Sequence, residues 1–163
     1  MKTLVLVRHA KSSWDNADLS DFERPLNERG KEDALIMAKR LIDKKIKIDA
    51  FVSSPAKRAR KTAKFFMEEY GENIKNLRLI PFLYEAAMND FYHVVETLND
   101  KDDAVALFSH NPGITEFVNS LHFSPVQDMP TCGVYALAIE IKYWKDFNNA
   151  VKKFLFFDYP KNV

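Results

Sequence analysis

From Thr3 to Val7 the chain is apolar at every position after Thr3, and Ala104 to Phe108 is apolar throughout. A strand with one wet face alternates polar and apolar side chains, whereas an unbroken apolar run belongs to a strand covered on both faces. Such strands need helices on either side, and the sequence supplies them. Ala34, Met37, Ala38, Leu41 and Ile42 fall on one helical face, preceded by Asn27 as N-cap and Glu28 in the first turn. A second strand, Ala50 to Val52, stops at Ser53-Ser54-Pro55, because Pro55 drives Ser54 into an extended conformation. A helix follows, with Ala59, Ala63, Phe66, Met67 and Tyr70 on one face and Gly71 as its stop.

Further along, Leu77 to Leu83 reads as a third strand, and Phe91, Val94, Val95 and Leu98 mark a short helix. After the run at Ala104 to Phe108, Asn111 and Pro112 suit an N-cap and a first helical position, and Ile114, Phe117, Val118 and Leu121 continue that helix. Val134 to Ile141 and Phe154 to Phe157 are the remaining strand candidates, with a weak helix over Trp144 to Ala150. The expectation is an α/β fold: a three-layer sandwich whose mostly parallel central sheet carries helices on both faces. Its 163 residues fit a single domain spanning 1–163.

Composition narrows the function. With 24 basic and 23 acidic residues the net charge is +1, which speaks against an extended nucleic-acid surface. One cysteine, Cys132, leaves no internal disulfide and fits a reducing compartment. The apolar run after Lys2 stops at Arg8, short of a signal peptide, and no stretch reaches the length of a membrane span. A cytoplasmic monomer that avoids nucleic acid and membrane is expected. Four glycines form no phosphate-binding glycine loop, so a nucleotide P-loop is excluded.

Three segments share one arrangement, in which a buried strand ends and residues able to hold an anion begin. They are Arg8-His9, then Ser53-Ser54-Pro55 leading to Arg58, then Ser109-His110. In parallel sheets ligands bind beyond the carboxyl ends of the strands, so these segments would meet at one edge, with two helix N-termini aimed at it. Two arginines and two histidines there make a pocket for a compact dianion such as phosphate. Each piece has a plainer reading. A histidine at a strand end is more often structural, and the basic run Lys57 to Lys64 is usually a solvated helix face. Arg8 is harder to dismiss, since an unpaired charge after four buried residues would be costly. A metal held by His9, His110 and Glu85 competes with the anion, but two guanidiniums would repel a dication.

These residues resemble a known family. Arg8-His9-Ala10-Lys11-Ser12-Ser13-Trp14 is similar to the Arg-His-Gly/Ala signature of the histidine phosphatase superfamily, which includes the phosphoglycerate mutases. The segments Ser53 to Ala63 and Ser109 to Gly113 resemble its second arginine and second histidine segments, and Arg24 to Gly30 the opening of its first helix. The wording after His9 looks most like the SixA-type phosphohistidine phosphatases. The resemblance implies a phosphoglycerate mutase-like fold, no cofactor and no metal. It also implies His9 as the nucleophile that becomes phosphohistidine, with Arg8, Arg58 and His110 on the phosphoryl oxygens. Lys11, Ser12 and Asn111 would lie near substrate, and Glu85 would be the general acid. The implied substrate is a protein phosphohistidine. Small phosphomonoesters, a mutase reaction, a phospho-residue binding module and a basic-helix nucleic-acid binder stand as alternatives.

Overall fold

The computed structural model describes residues Met1 to Val163. Six strands form one sheet in the order β3-β2-β4-β1-β5-β6. They are β1 (Lys2–Arg8), β2 (Ala50–Ser53), β3 (Arg78–Leu79), β4 (Ala104–Ser109), β5 (Val134–Ile139) and β6 (Lys152–Asp158). β1, β2, β3 and β4 run parallel; β5 and β6 add an antiparallel flank beside β1. Four helices cover it: α1 (Glu28–Asp43), α2 (Lys57–Glu69), α3 (Met88–Glu96) and α4 (Gly113–Ser120).

The unbroken apolar strands divide by the pleat, as a period of two requires. Val5, Val7, Phe51, Ala106 and Phe108 face α1 and α2, where they meet Met37, Leu41, Phe66 and Met67. Leu4, Leu6, Val52, Val105 and Leu107 face the other way, against Phe91, Val94, Ile114 and Phe117 of α3 and α4. Two cores on opposite faces of one sheet make the expected three layers.

α1 begins as its sequence dictates, with Asn27 Oδ1 accepting the Gly30 N–H at 2.8 Å. Three expectations need correction. Of Leu77 to Leu83 only Arg78 and Leu79 pair, and Pro81–Leu83 forms a 3-10 turn; a proline lacks the N–H a ladder requires. Trp144–Asn149 is a 3-10 turn, not an α-helix. Asn111 does not cap α4, because its amide donates to Asp128 Oδ1 and Met129 O while its oxygen accepts from Thr115 Oγ1. No helix is long and apolar enough to cross a membrane.

Candidate active site

The register of the parallel strands builds the site. Arg8 lies opposite Ser109, and Ser53 opposite Phe108. His9, His110 and Ser54 each stand one residue further on, in a row at the same sheet edge. The ladder runs into them: His9 N–H donates to Ser109 O at 3.0 Å and Ser54 N–H to Phe108 O at 2.9 Å. The three strand ends named from the sequence therefore do converge.

The His9 and His110 rings face each other with centroids 5.1 Å apart, tilted by 52°. Both are buried, at 7% and 6% exposure. His9 Nδ1 lies 2.7 Å from the carbonyl oxygen of Ala10. A carbonyl can only accept, so Nδ1 holds the proton and Nε2 keeps its lone pair. His110 places Nε2 2.7 Å from Ser54 Oγ, while its Nδ1 is buried without a partner. Burial pushes the His9 pKa well below 6.5, helped by His110, Arg58 and Arg8. Burial and Arg58 lower His110 to about 3. Both rings are therefore neutral at neutral pH.

Two guanidiniums accompany them. Arg8 donates from one terminal nitrogen to Met129 O at 2.7 Å, and its buried Nε has no partner. Burial lowers its pKa, opposed by the charge of Asp128 and reinforced by Arg58. Arg58, on the first turn of α2, donates to the carbonyl and the carboxylate of Asp21 at 2.6 and 3.0 Å. A guanidinium has five N–H donors, so each arginine keeps several for a ligand. The buried Thr62 hydroxyl fixes α2 to the loop after β1, accepting from Ala10 N at 2.9 Å and donating to Arg58 O at 2.8 Å.

The other sequence candidates make contacts of their own. Lys11 is exposed, and its backbone carbonyl accepts the Asn27 N–H. Ser12 Oγ accepts from Arg24. Asn111 braces the segment that supplies Met129 to Arg8. Glu85 is exposed, in a left-handed backbone conformation at φ 54°, beside Tyr84 whose ring meets His110 edge-on at 5.6 Å. Sequence reasoning placed Ser54 at one of the converging strand ends and gave no role to Asp21, Thr62 or Tyr84. It also missed that Cys132, at φ 60°, donates its N–H to the carbonyls of both Arg8 and His9. Burial raises that thiol far above its usual range, which leaves it inert.

A neutral imidazole lone pair beside two incompletely bonded guanidiniums, at the carboxyl edge of a parallel sheet, is the equipment of a protein that handles a phosphoryl group. The sequence model of the histidine phosphatase superfamily (branch 1) matches residues 4–116, and the chain belongs to that superfamily. Its fold is similar to that of an Agrobacterium tumefaciens protein assigned as a phosphohistidine phosphatase SixA, with TM-score 0.79 and 24% identity over 96% of this chain and 97% of that one. A structure of the protein histidine phosphatase SixA complexed with tungstate gives TM-score 0.82 and 21% identity over 98% of both chains. Among curated sequences, an uncharacterised chloroplastic protein of Arabidopsis thaliana is 28% identical, covering 89% of this chain and 70% of its own length. A 2,3-bisphosphoglycerate-dependent phosphoglycerate mutase of Bartonella tribocorum is 34% identical over 55% of this chain, which spans 42% of the mutase.

Proposed function

We propose that this chain is a metal-independent phosphatase that transfers a phosphoryl group from substrate to His9 Nε2 and then to water. The observation that carries this reading is the His9–Ala10 hydrogen bond, which leaves Nε2 unprotonated beside Arg8 and Arg58. In the first step the Nε2 lone pair forms the bond to phosphorus while the bond to the leaving group breaks and its electron pair departs with that group. Arg8, Arg58 and His110 take the charge of the equatorial oxygens, which grows toward the transition state. In the second step water attacks the phosphohistidine, the P–N bond breaks, and Nε2 regains its lone pair. A dication beside two guanidiniums would be repelled, so EDTA should leave turnover unchanged.

We further propose a protein phosphohistidine as the substrate. An alkoxide leaving group needs a proton, and the nearby carboxylates are poorly placed to supply one. Asp21 is held ionised, at about 2, because hydrogen bonds from Tyr84 and Arg58 outweigh the upward push of burial. Glu85 makes no hydrogen bond and points its backbone the left-handed way. An imidazole leaves with less help, which favours phosphohistidine over alkyl phosphates. The second reading, a phosphatase of small phosphomonoesters, draws on Glu85 lying next to Tyr84 at the His110 ring.

The test is a quenched reaction with labelled substrate. Wild type should carry an acid-labile, alkali-stable phosphoryl label that His9→Ala lacks, and His9→Ala should retain its fold. Turnover by His9→Ala within tenfold of wild type would rule His9 out. Glu85→Gln separates the substrate classes. A loss of roughly 10²–10⁴-fold on alkyl phosphates alone would make Glu85 a general acid and support the second reading.

A further inference from the structure

Asp21 belongs to a polar stretch that the sequence marks only as loop, yet the chain spends more hydrogen bonds on it than on either arginine of the site. Its backbone carbonyl and its Oδ2 accept from the two terminal nitrogens of Arg58 at 2.6 and 3.0 Å, a fork gripping one edge of the guanidinium. Oδ2 also accepts from the Tyr84 hydroxyl at 2.7 Å, and Oδ1 from Arg24 at 3.1 Å. Arg24 is itself immobilised. Its Nε donates to Ser13 O at 3.1 Å, another nitrogen donates to Ser12 Oγ, and its guanidinium stacks 3.2 Å from the centroid of the exposed Trp14 ring.

This carboxylate is not needed to keep a surface loop in place, because Arg24 already ties that loop to Ser12 and Ser13. Its partner Arg58 is only 7% exposed and stands near enough to a second cation, Arg8, to disfavour its charge. A long guanidinium side chain with no fixed partner loses rotamer freedom each time it is ordered by a ligand. A fork on its outer edge removes that loss in advance and leaves three N–H groups for the phosphoryl oxygens. Asp21 grips Arg58 by the edge that carries its two terminal nitrogens, and its own side chain is half exposed.

We propose that Asp21 is the positioning residue of the phosphoryl clamp: it holds the outer edge of Arg58, neutralises it before substrate arrives, and influences the reaction only through it. This inference rests on the phosphoryl-transfer reading above. Tyr84 and Arg24 are the struts that keep the carboxylate in place.

The experiment uses the full chain with Asp21→Asn, Arg58→Ala and the double variant. Tungstate affinity is read by calorimetry, kcat and KM on an aryl phosphate by kinetics, and the fold by thermal unfolding. Asp21→Asn should weaken tungstate binding and lower kcat/KM by roughly 10- to 100-fold, the scale of a misplaced binding group. In the Arg58→Ala background the same change should alter tungstate binding by less than about twofold, since coupled residues are non-additive. A merely structural aspartate would weaken both backgrounds alike, and that result overturns the proposal. Tighter tungstate binding by Asp21→Asn would also overturn it, by making Asp21 a competitor of the anion. If Asp21→Asn fails to fold, Tyr84→Phe removes one bond to the same carboxylate and should show the same dependence on Arg58 at smaller size. A wild type that neither binds tungstate nor turns over substrate would defeat the phosphatase reading itself. An active wild type with an indifferent Asp21→Asn would defeat this inference alone.

Discussion

Strand β1 begins with a buried cation and ends with a half-buried one, and the two are treated differently. Lys2, at 2% exposure, donates to Asp100 O, Asp102 O and Asp103 Oδ1 at 2.9, 3.3 and 3.1 Å, with its ammonium over the Trp144 ring. Three donors meet three acceptors, and nothing is left over. Arg8, at the other end, spends one terminal nitrogen on Met129 O and buries an Nε with no partner. A buried unsatisfied donor costs about 1–3 kcal/mol, and the fold leaves that cost standing at one end only. The difference teaches how to tell a structural charge from a charge kept for a ligand: by counting the donors that remain.

Exchanging the two ends experimentally should give opposite results. The largest effect is expected at Arg8. Arg8→Lys keeps the charge but loses the planar fork, so kcat/KM on an aryl phosphate should fall by roughly 10²–10³-fold, with little change in Tm. Lys2→Met should do the reverse. Losing the three hydrogen bonds of its buried ammonium should cost about 1.5–3 kcal/mol, or roughly 3–12 °C in Tm, with activity per folded molecule unchanged. If Lys2→Met loses activity while still folded, or Arg8→Lys mainly loses stability, the contrast between the two ends is broken.

A smaller effect sharpens the same contrast through pH. The folded-state pKa of His110 lies at about 3 and that of His9 well below 6.5. Below pH 6.5 the unfolded chain takes up protons at these histidines that the folded chain refuses, so stability falls as pH falls. The loss should begin near 6.5 and grow toward 3, at up to about 1.4 kcal/mol per histidine for each pH unit. Denaturant unfolding at pH 6.5 and 5.5 should show it, and His110→Gln should lose less than wild type over that interval. Equal losses in both proteins would place the titration outside the site.

The sheet core and the converging strand ends were legible because they are written in contiguous signals. Thr3 to Val7 and Ala104 to Phe108 show burial on both faces directly, and polar residues immediately follow each run. Edge and loop features were not legible, for a physical reason. Leu77 to Leu83 is as apolar as a strand, but pairing is decided by neighbours, and only two of its residues find partners in β2. Asp21 is one polar residue among several between β1 and α1. Its role depends on Arg58 and Tyr84, 37 and 63 positions away, and no local periodicity reports such a meeting. The glycines behave likewise. A Cβ on Gly30 would collide with the Lys11 carbonyl, and one on Gly113 with the Ala86 carbonyl. Those close approaches hold α1 and α4 against the loops around the site, and nothing in the neighbouring sequence announces them.

The hydrogen bond from His9 Nδ1 to the Ala10 carbonyl has a consequence for how such a site can change over time. In many catalytic histidines the orienting partner is a carboxylate on another element, which one substitution can remove. Here the acceptor is a main-chain atom of the adjacent residue, present whatever amino acid is encoded there. The ring's tautomer is therefore inherited from the backbone path and is shielded from point mutation at the partner. Variation can then rework the surrounding side chains, Glu85, Asp21 and Trp14 among them. The proton arrangement of the central imidazole stays fixed while that happens.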